Sequence, residues 1–259
     1  MCLQAEGGQT EADAVSNRLL SEFTLTPLRM AVNSKKSASK TSASPATPET
    51  SLVDTVYQQI LLGIIKGEQV GGQELKSTQL AKQLGVSRTP VVQALQRLAA
   101  DGIITLEINK RAVVRPGAEN WLVEIHQLRE LLEPHAASLA ATRITDAALV
   151  ELDTLAAAAA DSERRDWAER VEHFDFALHL AIADATGNLA LREAIRKCWS
   201  FKRLSYAAGP DRPEALEKGY QEHLSILAAL KSRDPQTASA AMLFHLRSAA
   251  VLRPDRRIV

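Results

Sequence analysis

The sequence predicts a mostly α-helical chain of two domains: a small N-terminal one of three helices and a β-hairpin, and a larger C-terminal bundle of helices alone. Three observations predict it. From Leu52 onward, apolar residues recur at three- and four-residue steps over most of the chain. The two β-rich runs, residues 103–108 and 112–115, lie close together with a turn signal at Asn109 and Lys110 between them. Pro116 and Gly117 then mark a linker, beyond which every substantial segment keeps the helical period.

The elements follow in order. Residues 31–50 are rich in Ser, Thr, Ala, Lys and Pro without apolar periodicity, so they bury too little surface to offset chain entropy, and residues 1–50 are expected to be a disordered tail. Met30 just precedes this stretch and is the expected native start. Leu52, Val53, Val56, Ile60, Ile64 and Ile65 give a first amphipathic helix with Gly67 as its stop. A second, short helix over 78–84 ends at Gly85. A third begins at Ser87, whose hydroxyl is expected to cap it, with Pro90 tolerated in the first turn. With the hairpin, residues 51–116 make a winged helix-turn-helix. Six helices follow over 121–252, with breaks near 143–145, 161–166, 186–188, 209–213 and 234–235. The alanine run at 156–160 reads as close helix packing, because Ala is the best helix former and Leu152 and Leu155 keep the period.

Composition narrows the function. The chain has 259 residues, 46% hydrophobic, with no net charge. In the C-terminal half the longest wholly apolar stretch is residues 155–160, far short of the roughly 20 that span a bilayer, and the N-terminus lacks the pattern of a secretory signal. A cytoplasmic protein without membrane association is expected. Cys2 and Cys198 are the two cysteines, which argues against a disulfide framework or a thiolate zinc site, so any metal must use nitrogen and oxygen. Residues 51–116 hold eight Lys and Arg against five Asp and Glu, a modest basic excess compatible with phosphate binding.

The segment LAKQLGVSRTPV at 80–91 has the helix, glycine turn, helix rhythm that lets a second helix enter the major groove by its N-terminal end. On that helix Val91, Ala94, Leu95 and Leu98 form a core stripe, leaving Arg88, Thr89, Val92, Gln93 and Gln96 outward. Arg88 is suited to a bidentate contact with guanine and Thr89 to a phosphate. In the wing, Lys110 and Arg111 are candidates for the minor groove or its phosphates, with solvated charge as the alternative.

The run LAKQLGVSRTPVVQALQRLAADGIITLEINKRAVVRP closely resembles the GntR family of regulators. The resemblance implies a DNA-binding winged helix with Arg88 and Thr89 as contacts, and Ser87, Gln93, Gln96, Lys110 and Arg111 are the further candidates for the interface. Two departures stand out: Val92-Gln93 where the family usually has Arg-Glu, and Thr78 where it often has Arg. Residues 121–250 resemble the effector-binding FCD domain of the FadR-type branch. That resemblance rests on Leu128-Arg129 with Glu133, on Asp175 and His179 with Gly187-Asn188 after them, and on His223 and His245 in the last two helices. It implies a divalent ion, zinc first with nickel or manganese also suited, held by Asp175, His179, His223 and His245. It further implies that Arg129 binds the carboxylate of a small organic acid, a task that suits a planar fork of donors. The alternative for Arg129 is an i, i+4 ion pair with Glu133.

The expectation is therefore a non-enzymatic transcription regulator. It would be a repressor and a homodimer that binds double-stranded operator DNA with inverted half-sites under control of a small organic acid. A metal-dependent hydrolase and a regulator whose metal is structural or absent are the alternatives. His126, His135 and His173 match no ligand position and read as structural or solvent-facing, Trp121, Trp167 and Trp199 as packing anchors, and Asn188 as a helix cap.

Overall fold

The computed structural model describes residues 51–107, 111–207 and 212–251. The expected tail over 1–50, the start at Met30, and the turn at Asn109 and Lys110 lie outside these residues. Contacts divide the chain into two compact units, one built on residues 51–124 and the other on 125–203 and 212–251.

The first unit opens with α1, Leu52–Ile65, whose N-terminus is capped by Ser51: its hydroxyl accepts from the Asp54 amide at 3.1 Å. A two-residue strand β1, Glu74–Leu75, leads into α2, Ser77–Leu84, and after a turn comes α3, Arg88–Ala100. The turn depends on Gly85, whose φ of 66° is left-handed and whose amide bonds to the Ala81 carbonyl, so a side chain there would be strained. Val91, Ala94, Leu95 and Leu98 are buried as the period requires. They pack α3 against α1 and α2. The N-terminal half of α1 is fastened to the C-terminal end of α3 by Tyr57, which donates to Asp101 at 2.6 Å beneath the Arg97 guanidinium.

The wing is β2, Ile104–Glu107, and β3, Arg111–Val114, paired antiparallel with Ile104 opposite Val114 and Leu106 opposite Ala112. The structure adds a third strand to the expected hairpin: β1 pairs with β3, and the sheet order is β1-β3-β2. Two residues carry no readable alternation, which is why β1 is invisible in the sequence. A second correction concerns Ser87. It stands at the N-cap of α3 in extended backbone, but its side chain makes no capping hydrogen bond.

A short 3₁₀ turn at Ala118–Asn120 leads into the helices: α4, Trp121–Ala141; α5, Asp146–Ala158; α6, Trp167–Ala185; α7, Leu189–Ala207; α8, Pro213–Lys231; and α9, Pro235–Val251. These are the six helices expected, with breaks where the polar and Gly/Pro signals put them. Thr145 caps α5 by accepting from the Ala148 amide at 3.2 Å, and Asn188 caps α7 by accepting from Leu191 at 3.1 Å. Close packing at the alanine run is real. The Tyr220 hydroxyl reaches the Ala156 carbonyl at 2.9 Å, and the Trp167 indole reaches that of Ala159 at 3.0 Å. The core of this unit runs along Phe174, Leu178, Ile182, Ile195, Trp199, Ile226, Leu230 and Leu246. Embedded among them are seven buried polar groups, Arg129, Glu133, His179, Thr186, Glu222, His223 and His245, and six of these, all but Thr186, are bonded to another of the set. No helix among the described residues is long and apolar enough to cross a membrane.

Candidate metal centre and DNA-reading helix

Asp175 and His179 are four residues apart on α6 and so share a face. His223 comes from α8 and His245 from α9, helices that pack closely on each other, with α8 also lying on α6. One donor atom from each of the four lies within 4.8 Å of every other. His179 Nε2 is 3.3 Å from Asp175 Oδ1. His223 Nε2 is 3.0 Å from the same oxygen and 3.1 Å from His245 Nε2.

The surroundings fix the chemistry of these donors. His179 donates through Nδ1 to Glu133 Oε2, and His245 through Nδ1 to Glu222 Oε2 at 3.0 Å. Each bond places the proton on Nδ1 and turns the Nε2 lone pair toward the centre, the arrangement in which metal-binding imidazoles are held by an outer carboxylate. Burial holds His179 and His245 neutral, pushing both below the ordinary histidine range, His245 well below it. Burial alone would raise the Asp175 carboxyl, but His223, hydrogen-bonded to it, outweighs burial and keeps it well below the usual carboxylate range. Neutral His179 and His245 beside an ionised Asp175 are in the protonation state that ligation requires. His179 Nε2 is buried and has no hydrogen-bond partner, although it faces Asp175. A buried acceptor left so is costly unless a cation or water meets it. These donors fit a divalent ion, and no thiolate lies among them, so harder nitrogen- and oxygen-binding ions are favoured.

Arg129 is 2% exposed on α4 and pairs with Glu133 Oε1 through Nε at 2.5 Å. The i, i+4 ion pair is thus present. It engages one of the five N–H donors of the guanidinium, so it does not by itself exclude a second carboxylate. The guanidinium stacks 4.3 Å from the Trp199 ring, whose Nε1 donates to Glu133 Oε1 at 3.1 Å. Glu133 therefore ties together Arg129, His179 and Trp199, and its carboxyl is lowered to about 2: burial opposes ionisation, but Arg129 and His179 prevail.

Sequence reasoning missed three of these roles. Glu133 was visible only as a partner for Arg129, Trp199 only as a packing anchor, and Glu222 not at all. Glu222 precedes His223 yet serves His245, and it also accepts from the Ser248 hydroxyl at 2.5 Å. The outlying histidines behave as expected. His126 donates to the Leu246 carbonyl at 2.9 Å, burial lowering its pKa to about 4, and His135 is exposed.

In the first unit, Ser87, Arg88, Thr89, Gln93 and Gln96 are all exposed at or along the N-terminal part of α3. Arg88 is not extended into solvent: its Nε donates to the Ser77 hydroxyl at the start of α2, 2.9 Å away. Arg111 pairs with Glu74 of β1 at 3.1 Å, and Lys110 lies outside the described residues.

Comparison with known proteins decides the family. Residues 52–114 match the model of bacterial regulatory proteins of the gntR family, and residues 124–248 match the FCD domain. The chain is 30% identical over 217 residues to the HTH-type transcriptional regulator LutR of Bacillus subtilis, covering 71% of this chain and 92% of that one. The chain belongs to the GntR family. This GntR protein is also 28% identical over 203 residues to a probable D-xylose utilization operon transcriptional repressor of Paenarthrobacter nicotinovorans, covering 76% of this chain and 86% of the relative. Among solved structures it resembles E. coli McbR/YncC, with a TM-score of 0.56 and 27% identity over 80% of this chain and 99% of the other. It is a DNA-binding transcriptional regulator, and its relatives are regulators, not enzymes.

Proposed function

We propose that this regulator is a cytoplasmic repressor that binds operator DNA as a homodimer and is released by a small di-, tri- or hydroxycarboxylic acid bound at a metal site in its FCD domain. Residues 51–116 form the DNA-binding module and 121–252 the sensing module. The observation that carries the reading is the convergence of four donors from three helices, with two of the imidazoles oriented by buried carboxylates. Asp175, His179, His223 and His245 would hold the ion, zinc being the first expectation and nickel or manganese also suited. A divalent ion held there would supply a Lewis acid able to bind the oxygens of an organic acid.

The protein's own residues do the rest. Glu133 and Glu222 hold the rings of His179 and His245 in place, and Trp199 holds the guanidinium plane of Arg129 against the same wall. Arg129 then offers donors to the acid. No bond is made or broken. The acid acts by favouring one arrangement of the two DNA-binding units in the dimer over another, with a coupling free energy typically about 1–3 kcal/mol.

At the DNA, Ser87, Arg88, Thr89, Gln93 and Gln96 present the reading edge of α3, and Lys110 and Arg111 the wing. Two inverted half-sites follow from a two-fold dimer. The repressor sign is supported by the relative whose name describes a repressor of a utilization operon.

The test is thermal melting of the purified protein against a panel of organic acids, with and without prior chelation, followed by operator-release assays with any acid that stabilises. A true ligand raises the melting temperature with concentration. Stabilisation abolished by chelation supports metal-mediated sensing. Stabilisation that survives chelation supports a structural or absent metal, with Arg129 alone holding the acid. His223→Ala separates these readings further, because loss of response with an intact fold is expected of the first only.

A further inference from the structure

Arg88 and Arg97 are the charged residues in the sequence of α3. Arg97, in the last turn, is engaged within the fold: it pairs with Asp54 of α1 and lies 4.3 Å from the centre of the Tyr57 ring. The N-terminal part of such a helix is the part that reaches base edges in the major groove, and on α3 its charged side chain is Arg88. Thr89, Val92 and Gln93 beside it are uncharged. Where one arginine is the charged reader, the direction in which it points decides which base it meets.

Arg88 is held in one direction. Its Nε donates to the Ser77 hydroxyl at 2.9 Å, from the first residue of α3 back eleven positions to the first residue of α2. Both residues are exposed, so the bond adds little to the core and acts mainly on where the guanidinium points. A guanidinium carries five N–H donors, one on Nε and two on each terminal nitrogen. Guanine presents O6 and N7 as paired acceptors in the major groove. An arginine can meet them side-on, through Nε and one terminal nitrogen, or end-on, through both terminal nitrogens. With Nε occupied by Ser77, the side-on approach is closed and the end-on fork remains. Fixing a long, exposed side chain on DNA costs rotamer entropy, and a side chain already held in its bound orientation avoids part of that cost.

We propose that Ser77 is a specificity-determining positioning residue, which holds Arg88 so that its two terminal nitrogens bind O6 and N7 of one guanine in each operator half-site. Ser77 acts through Arg88 and makes no base contact of its own. This inference rests on the reading of α3 as the DNA-facing helix and adds to it the residue that aims its arginine.

The experiment uses the full chain and a random-sequence duplex library, from which the wild type selects its preferred half-site. Binding to the selected duplex, to copies carrying 7-deazaguanine at one guanine at a time, and to a scrambled duplex is then titrated at fixed salt. The proteins are the wild type, Arg88→Ala, Ser77→Ala and Ser77→Thr. Deazaguanine replaces N7 by carbon and keeps O6 and the base pair. For the wild type, one guanine per half-site should be sensitive, with a loss of about tenfold for one charge-assisted hydrogen bond. Arg88→Ala should abolish that sensitivity. Ser77→Ala should weaken the selected duplex about two- to tenfold and shrink the penalty for replacing that guanine, while scrambled-duplex binding stays unchanged. Ser77→Thr, which keeps the hydroxyl, should bind like the wild type. Equal weakening of the selected and scrambled duplexes by Ser77→Ala, unaltered or tighter binding of the selected duplex, or failure of Ser77→Thr to retain it overturns the proposal. A selected site without a sensitive guanine, or a sensitivity that persists in Arg88→Ala, overturns Arg88 as the base reader and the proposal with it. A library from which nothing is enriched overturns the DNA-reading account itself, and that failure shows in the wild type before Ser77 is altered.

Discussion

Glu133→Gln is the substitution with the largest expected consequence. The carboxylate is 1% exposed and accepts from Arg129 Nε, from Trp199 Nε1 and from His179 Nδ1. All three partners are donors, so the amide of glutamine must turn its NH₂ toward at least one of them. The larger effect is electrostatic: Arg129, 2% exposed, keeps its charge and loses the partner that balances it. Breaking a buried ion pair from one side costs about 3–5 kcal/mol. For a domain of this size each kcal/mol moves the melting temperature by about 2–4 °C, so the metal-free variant should melt roughly 6–20 °C lower. Differential scanning calorimetry in the presence of a chelator measures this without any contribution from metal. Adding Arg129→Met to the variant removes the stranded charge, and the double variant should recover a large part of the loss, since replacing both members of a buried pair by apolar groups is often close to neutral. A fall of less than about 2 °C in Glu133→Gln, or a double variant less stable than the single one, would refute the reasoning.

Other expectations follow from the same geometry. Glu222→Gln should weaken metal binding about 10–100-fold in chelator competition, the usual effect of losing an outer carboxylate behind a liganding imidazole. Its stability cost should be smaller than that of Glu133→Gln, because the cation it leaves, Lys218, is exposed to solvent. The metal-free protein should lose stability as the pH falls: His126 has its pKa lowered to about 4 by burial, against about 6.5 unfolded, so between those values the unfolded chain binds the extra proton. Each such histidine steepens the fall by up to about 1.4 kcal/mol per pH unit, and His179 and His245 are shifted in the same direction. Denaturant midpoints of the wild type and His126→Gln between pH 4.5 and 7 check this, with a shallower slope expected in the variant. Arg88→Ala should cost about 1–3 kcal/mol of operator affinity and relax base preference at one position, whereas Thr89→Ala should weaken specific and nonspecific DNA alike and flatten the salt dependence. Mobility-shift titrations over several salt concentrations separate the two.

The legible and illegible parts of the molecule divide along physical lines. The α3 stripe of Val91, Ala94, Leu95 and Leu98 is a periodic burial pattern, and the cap at Asn188 is local, so sequence shows both. Strand β1 has two residues and exists because β3 offers it an edge, a fact of tertiary pairing that no window around Glu74 contains. The Ser87 hydroxyl fits the capping pattern but makes no such bond, since a cap position is set by the backbone and its side chain need not point inward. Asp175 and His179 share a helix face, so their pairing could be read from spacing alone, but their convergence with His223 and His245 came only through family resemblance. Glu222 and Trp199 act on residues 23 and 66 positions away, where no sequence period reaches.

The account's central claim is that Asp175, His179, His223 and His245 form a working metal site, and metal stoichiometry tests it most directly. The chain, stripped by chelation and dialysed against zinc, nickel or manganese, should take up one ion per chain, and Asp175→Asn with His179→Gln should abolish uptake while the winged helix still binds DNA. A wild-type chain that binds none of the three ions, or a double variant that binds them as well as the wild type, would contradict it.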